Sequence, residues 1–181
     1  GPLALALHAK GVTLYSTGGT YKHLVEDLKI PAKKVDSLTE FPEMMDGRVK
    51  TLHPKIFGGI LARRLEPADL RDAEAHGIPL FDLVVVNLYD FASTLGKPRE
   101  EQVRLVDIGG PAMLRAASKN FEAVAVLSSP QDYAPFLETF NQSGGQTSLA
   151  LRFQNAVATF QRTCEYDAMI VQEWSEGKTL K

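Results

Sequence analysis

Residues 83–88 read Leu-Val-Val-Val-Asn-Leu, an almost continuous β-branched run that is the clearest strand signal in the chain. A strand that is apolar on both faces is typical of the interior of a parallel sheet. Ala123–Leu127 is a second buried strand by the same criterion, and Val12–Ser16 and Lys33–Asp36 are shorter candidates. Helical segments alternate with these runs, so the sequence predicts an α/β protein with a mainly parallel sheet.

The predicted helices lie between the strands and after the last one. Leu149–Glu173 carries apolar residues at helical spacing and is predicted to form one long helix that packs across the sheet. The other predicted helices are Tyr21–Leu28, Ile56–Arg63, Pro67–His76, Glu100–Val106, Pro111–Asn120 and a segment from Ser129 to Asn141. Because neither repeats nor low-complexity tracts divide the chain, we expect residues 1–181 to form a single domain.

Composition excludes several classes of protein. Of the 181 residues, 44% are apolar and 23% are charged, which is typical of a soluble globular domain. Twenty basic and 22 acidic residues leave a net charge of -2, so no global field favours nucleic acid or a membrane surface. The single Cys164 excludes an intramolecular disulfide and fits a reducing compartment. We therefore expect a cytoplasmic protein with a small-molecule ligand and neither nucleic acid nor membrane as a partner.

The most chemically informative segment is residues 41–54, Phe-Pro-Glu-Met-Met-Asp-Gly-Arg-Val-Lys-Thr-Leu-His-Pro. It places Arg48, Lys50, Thr51 and His53 within six residues of one another. Arg offers a rigid fork to phosphate oxygens, and Lys is a compact donor whose pKa responds to burial. The segment therefore indicates a phosphate-bearing substrate, although a basic surface loop ahead of a helix has the same composition.

Glycine-rich turns provide two further candidate binding segments. Ser16-Thr-Gly-Gly-Thr20 follows a predicted strand and precedes a helix, where free N–H groups and hydroxyls form a cradle for phosphate. Such turns are also common without a ligand. Asp107-Ile-Gly-Gly-Pro111 is either an ordinary helix cap or a carboxylate beside N–H groups that hold an oxyanion. Asn87 and Tyr89 end the strongest strand, at the edge where parallel sheets bind ligands.

Together these segments resemble the IMP cyclohydrolase domain family of purine synthesis, whose members carry this domain ahead of an AICAR transformylase. The resemblance covers the chain from Gly11 to about Trp174. The resemblance rests on the segments already quoted and on three more: Gly59-Ile-Leu-Ala-Arg63, Leu114-Arg-Ala-Ala-Ser-Lys-Asn120 and Tyr166-Asp167. It implies a methylglyoxal-synthase-like fold, a three-layer sandwich in which helices flank a mainly parallel sheet.

The resemblance implies closure of the second purine ring. The substrate would be 5-formamidoimidazole-4-carboxamide ribotide and the products IMP and water. The catalytic residues carried over at matching positions are Lys50, Tyr89, Asp107 and Lys119. Asp107 is the candidate proton acceptor, Lys50 would stabilise the oxyanion and later protonate the departing hydroxyl, and Tyr89 and Lys119 would orient the reacting groups.

The resemblance also implies a substrate-binding set, no metal, no redox cofactor and a homodimer. The implied binding residues are Ser16, Thr17, Gly18, Gly19, Thr20, Arg48, Thr51, Asn87, Ile108 and Gly109. A transformylase domain is expected in the full-length protein but not within these residues.

The chain departs from the family pattern in ways that keep other functions open. Family members open with a strand that carries a Ser-Asp-Lys-Thr-Gly phosphate motif, and this sequence begins at Gly1-Pro2 without it, so we expect the domain to lack its first strand. Phe57, Phe121 and Arg162 replace common histidines, which leaves His53 as the imidazole within a site motif. The alternatives are a non-catalytic purine-monophosphate-binding module, like the nucleotide-sensing domain of carbamoyl-phosphate synthetase, and a methylglyoxal synthase.

Overall fold

A computed structural model describes residues 1–176. Its strands are β1 (Tyr15–Ser16), β2 (Lys33–Lys34), β3 (Leu83–Val85) and β4 (Ala125–Leu127). Its α-helices are α1 (Pro2–Ala9), α2 (Gly18–Lys22), α3 (Val35–Thr39), α4 (Pro54–Leu61), α5 (Pro67–Ala75), α6 (Arg99–Arg104), α7 (Gly109–Lys119), α8 (Tyr133–Gln142) and α9 (Leu149–Glu176). A π-helical turn, His23–Asp27, continues α2, and 3-10 turns span Phe91–Thr94 and Pro130–Asp132.

The strands form two parallel pairs. Tyr15 lies opposite Lys33 in the β1–β2 pair. In the β3–β4 pair, Val84 lies opposite Val126. Parallel pairing with helical crossovers confirms the predicted α/β class.

Strand β4 forms the centre of the hydrophobic core. Its three residues are all buried, and consecutive side chains enter different clusters because a strand alternates between its two faces. Val126 packs on one side with Leu114 of α7 and Ile60 of α4. Leu127 packs on the other side with Phe136 of α8, in a cluster that also contains residues of α1. The sheet is therefore covered by helices on both faces, as the three-layer prediction requires.

A cleft separates the two strand pairs. Among residues 1–176, β1 pairs only with β2 and β3 pairs only with β4. Residues 12–16 and 79–87 line the same open cavity, whose volume is about 2350 Å³. The cleft therefore lies between the free edges of β1 and β3.

The open cleft explains where the strand predictions were too long. The predicted buried strand 83–88 forms only three paired residues, and Val85 is 39% exposed rather than buried. Val12–Ser16 is reduced to two paired residues, and Lys33–Asp36 becomes two strand residues followed by α3. Within the described residues, each shortened strand is hydrogen-bonded to another strand on one side only. Fewer of its residues therefore form strand pairs.

The helix predictions agree with the structure to within a few residues. Leu149–Glu176 is one unbroken helix, as expected, and α5 begins at Pro67. The helix expected from Ser129 begins as a 3-10 turn with a capping box between Ser129 and Asp132. Helix α2 begins at Gly18, three residues before the predicted Tyr21, and Gly18 itself has a φ of 50°.

Within residues 1–176, none of the helices combines the length and the apolar character needed to cross a lipid bilayer.

Gly59 allows α4 to pack against the segment that leads into β3. The amide of Phe81 donates a 3.0 Å hydrogen bond to the carbonyl of Gly59. A Cβ on Gly59 would overlap the carbonyl oxygen of Pro79 and lie 2.7 Å from the Phe81 ring. Neither the backbone nor the ring can move without disturbing the cleft wall.

Replacing Gly59 with Ala is expected to lower the free energy of unfolding by about 1–3 kcal/mol, because the added methyl group overpacks a rigid contact. Gly58→Ala is the matched control in the same helix, since its Cβ would lie 3.0 Å from the flexible end of Ile78. Urea denaturation measures both. A loss for Gly59→Ala no larger than that for Gly58→Ala would contradict this packing argument.

Candidate active site

The basic segment forms a tight hairpin-like loop. Met44 and Val49 form an antiparallel bridge, with the Met44 amide 3.0 Å from the Val49 carbonyl. Between them, Met45, Asp46 and Gly47 have φ values of 54°, 56° and 80°. Three consecutive residues in this region form a sharp turn, and glycine adopts such a conformation at the lowest cost. The turn places Arg48 and Lys50 on the wall of the cleft.

Lys50 has an acidic neighbour within its own loop. Its Nζ lies 3.8 Å from Oε1 of Glu43, and the Lys50 side chain is 27% exposed. A Cβ on Gly47 would lie 2.5 Å from the same carboxylate oxygen. Glu43 therefore occupies the space that a side chain at position 47 would take, and it holds Lys50 beside the turn.

Thr51 joins this loop to the Asp107-Ile-Gly-Gly turn. The Thr51 side chain is buried, and a Cβ on Gly109 would lie only 2.8 Å from its Oγ1. Residue 109 must therefore be glycine for the two segments to approach this closely. The contact brings Lys50 and Asp107 to the same cleft, although they are distant in the sequence.

The carboxylate of Asp107 caps the start of α7. Its Oδ1 accepts a 2.8 Å hydrogen bond from the Gly110 amide. This hydrogen bond orients the carboxylate and leaves Oδ2 without a protein donor among residues 1–176, so it is compatible with both the helix-cap and the oxyanion interpretations of the turn. The amides of Ile108 and Gly109 donate to no protein acceptor within the same residues. One carboxylate oxygen and two N–H groups are thus available to a ligand.

Tyr166 of α9 fixes the backbone of this turn. Its hydroxyl accepts a 2.8 Å hydrogen bond from the Asp107 amide and donates one of 2.7 Å to the carbonyl of Leu105. Burial raises the pKa of the Tyr166 phenol above its ordinary value, and the negative charge of Asp107 adds to the increase. The phenol therefore stays protonated and keeps donating to Leu105. Sequence reasoning gave Tyr166 no role, although its pairing with Asp167 was part of the family resemblance.

Asn87 and Tyr89 follow β3 at the edge of the cleft. Oδ1 of Asn87 accepts a 2.9 Å hydrogen bond from the Tyr133 hydroxyl, which orients the Asn87 amide. Tyr89 is exposed and lines the cleft. Both side chains thus lie at the strand end where the sequence predicted ligand contacts, and those contacts stay a prediction.

The glycine-rich turn borders the cleft from the β1 side. A Cβ on Gly18 or Gly19 would meet no atom within 4 Å, so the turn faces open space. Thr17 is the residue before α2, and its side chain makes no capping hydrogen bond to this helix. Hydroxyl and N–H donors of the turn therefore remain available.

Thirteen of the fourteen predicted site residues line this one cleft. They are Ser16, Thr17, Gly18, Gly19, Thr20, Arg48, Lys50, Thr51, Asn87, Tyr89, Asp107, Ile108 and Gly109.

The fourteenth predicted site residue, Lys119, is placed elsewhere. It is exposed at the last position of α7, about 15 Å along the helix axis from Gly109. His53 is also not among the residues that line the cleft. Its Nδ1 accepts a 3.1 Å hydrogen bond from the Lys55 amide and caps α4. No three His, Cys, Asp or Glu side chains of residues 1–176 are grouped closely enough to hold a metal ion.

Comparison with known proteins identifies the class first. The MGS-like domain family matches residues 2–112, and the AICARFT/IMPCHase bienzyme family matches residues 117–180. The crystal structure of ForH superposes with a TM-score of 0.80 at 38% identity, over 96% of this chain and 91% of that one. The chain therefore belongs to the MGS-like domain family, and the predicted fold is confirmed.

The relatives narrow this class. The chain is 48% identical over 172 residues to the bifunctional purine biosynthesis protein PurH of Polynucleobacter asymbioticus. It is 46% identical to the PurH protein of Polynucleobacter necessarius. In both comparisons 93% of this chain is covered, but the chain spans only 32% of the relative's length. The resemblance to the IMP cyclohydrolase domain is confirmed.

Tyr166→Phe is expected to lower the free energy of unfolding by about 1–3 kcal/mol, because it leaves the Asp107 amide and the Leu105 carbonyl without their partner. Tyr133→Phe is the matched control, since it removes an exposed hydrogen bond and should cost less than about 1 kcal/mol. Urea denaturation distinguishes them. Equal small losses would show that Tyr166 does not fix the turn.

Proposed function

We propose that the cleft binds 5-formamidoimidazole-4-carboxamide ribotide and closes its ring to IMP with loss of water, the last step of de novo purine synthesis. The observation that carries the proposal is the contact of Thr51 with Gly109, which brings Lys50 to the same cleft as Asp107 and Tyr89. The similarity to PurH proteins supports the same assignment.

The proposed reaction needs a proton acceptor and a stabilised oxyanion. The carboxamide nitrogen attacks the formyl carbon, and its proton passes to Oδ2 of Asp107, the oxygen without a protein donor. The formyl oxygen becomes an oxyanion that the Lys50 ammonium and the N–H groups of Ile108 and Gly109 stabilise. Asp107 returns its proton to the oxyanion, which becomes a hydroxyl, and Lys50 protonates this hydroxyl as the C–O bond breaks and water leaves. The formamido nitrogen forms the C=N bond to the same carbon and loses its N–H proton, which restores the Lys50 ammonium.

Positioning contributes much of the acceleration because the attack is intramolecular. In the proposal, the Tyr89 hydroxyl orients the carboxamide and the Asn87 amide contacts the base. The phosphate binds to the Ser16–Thr20 turn, with help from Arg48 and from Thr51. The Thr51 hydroxyl lies beside Gly109, one of the two residues whose amides are proposed to bind the oxyanion.

For the domain organisation, we propose a single IMP cyclohydrolase-like domain whose cleft receives a further parallel strand. Within residues 1–176, β1 and β3 each have one edge without a strand partner, and both of these edges border the cleft. Apolar side chains that include Ile56 and Phe136 line it from the two helical layers. We propose the cytoplasm as its location and a transformylase domain in the full-length protein; residues 177–181 lie outside the described structure.

Lys50→Met is expected to reduce the rate of IMP formation by at least about 100-fold, because it removes both the oxyanion partner and the proton donor. Absorbance at ultraviolet wavelengths follows the conversion of the formamido substrate without folate. Lys55→Met is the control, since Lys55 pairs with Glu40 on the surface and does not line the cleft.

Activity of Lys50→Met within about threefold of wild type would remove the role given to Lys50. Tight binding of IMP by the wild-type protein without any turnover would instead favour the non-catalytic nucleotide-binding module.

We also propose that Lys119 acts in a homodimer, on the cleft of the second copy. Its position at the far end of α7 keeps it from its own Asp107. Two residues beyond it, Phe121 packs on Phe153 of α9, and Phe153 and Val157 are exposed apolar residues about one turn apart on α9. An apolar surface next to Lys119 suits an interface between copies.

Mixing Lys50→Met with Lys119→Met protein tests this role of Lys119. Random mixing makes half of the dimers mixed, and each mixed dimer contains one intact site, so about a quarter of wild-type activity should return. Each variant alone should be inactive. A mixture that stays inactive after subunit exchange would contradict the proposal that Lys119 acts in the cleft of the second copy.

A further inference from the structure

Glu43 lies directly across the basic loop from Lys50, and the predicted site did not include it. Met44 and Val49 form the antiparallel bridge of this loop and exchange two backbone hydrogen bonds, of 3.0 and 3.3 Å. In an antiparallel pair, the residue before one partner lies opposite the residue after the other, and their side chains share a face. The bridge therefore places Glu43 opposite Lys50 as a cross-strand pair of opposite charge.

The turn between these two residues lets the Glu43 carboxylate reach the Lys50 ammonium. Met45 and Asp46 adopt φ values of 54° and 56°, which cost free energy in residues with a side chain and cluster at functional sites. Gly47 follows, and a Cβ there would lie 2.5 Å from Oε1 of Glu43 and 3.7 Å from Nζ of Lys50. The carboxylate thus occupies space that a glycine at this position leaves open.

Glu43 restrains Lys50 by charge without using its hydrogen-bond donors. Oε1 of Glu43 lies 3.8 Å from Nζ, which is beyond hydrogen-bond length, and Nζ donates to no acceptor among residues 1–176. The N–H groups of the ammonium are therefore available to a ligand. By contrast, Lys55 donates a 2.7 Å hydrogen bond to Glu40.

The two side chains differ in their access to the cleft. Lys50 lines the cleft together with Tyr89 and Asp107, whereas Glu43 is not among the lining residues. The Glu43 side chain is 46% exposed, so solvent screens the ion pair and the pair contributes little to folding stability. An effect of Glu43 on a ligand in the cleft must therefore pass through Lys50.

We propose that Glu43 is the positioning residue for Lys50 in the ring closure, holding its ammonium in place and leaving its donors free. This inference rests on the proposed function. In that reaction Lys50 stabilises an oxyanion, gives up a proton and regains one, so its ammonium is needed twice at the same place. A misplacement of about 1 Å can reduce the rate of such a step on the order of 100-fold.

Glu43→Gln tests this role because it keeps the shape of the side chain and removes its charge. The kcat for IMP formation should fall at least about tenfold, while KM and the Kd for IMP stay within about threefold of wild type. The two effects separate because the oxyanion that Lys50 stabilises forms only during the reaction. The urea midpoint should not shift, since the pair is exposed.

Glu40→Gln is the matched control. It removes the same charge three positions earlier and breaks a shorter ion pair, and neither Glu40 nor its partner Lys55 lines the cleft. Its kcat should equal that of wild type. When combined with Lys50→Met, Glu43→Gln should cause no further loss of activity, because a residue that acts through Lys50 has no effect once Lys50 is absent.

Three kinetic outcomes would each overturn the assignment: a kcat of Glu43→Gln within about threefold of wild type, a raised KM with unchanged kcat, or equal losses in Glu40→Gln. A crystal structure of Glu43→Gln tests the positioning without turnover, because Nζ of Lys50 should move by at least about 1 Å. An unmoved Lys50 would contradict the inference. A displaced Lys50, in a protein whose wild type binds IMP but never forms it, would uphold the positioning and remove the cyclohydrolase function instead.

Discussion

The close approach of Thr51 to Gly109 is the contact on which the candidate site depends. It needs a hydroxyl on one segment and no side chain on the other, because a Cβ at position 109 would lie 2.8 Å from Thr51 Oγ1. Gly110 is constrained in the same way, since its Cβ would lie 2.9 Å from Cγ of Asp107. The turn therefore binds the basic loop on one side and begins α7 on the other. Leu114 of this helix is fully buried in the core.

Helix α9 holds the segments around this contact in place through several hydrogen bonds. The Arg152 guanidinium donates to the carbonyls of Phe121 and Glu122, and Arg162 forms paired bonds with Asp132. These bonds hold the segments that flank β4. Farther along the same helix, Tyr166 holds the Asp107 turn and Trp174 supports Arg99. One long helix thus sets the positions of several loops, which explains how short strands can support a defined cleft.

The divided sheet gives the cleft its size and its chemistry. Backbone groups at the free edges of β1 and β3 border the same space as the cations of the basic loop. A strand between them would narrow the cleft and leave its ligand-binding end beside Ser16 and Asn87, where the carboxyl ends of parallel strands meet. The proposed chemistry and the proposed additional strand therefore use different parts of one cavity.

Local pattern determined the parallel α/β class, the helices and the candidate residues, because strand and helix periods, caps and glycine turns depend on neighbours in sequence. The structure brings three of the predicted elements, Lys50, Asp107 and the Ser16–Thr20 turn, to one cleft, and their roles stay predictions. Only the tertiary structure revealed that Tyr166 holds Asp107, that Arg99 lies on Trp174 with no carboxylate of residues 1–176 within 4.0 Å, and that Lys119 lies outside the cleft lining. These relations join residues separated by 59 or more positions or follow from the length of a helix, and no local period encodes which distant side chains meet.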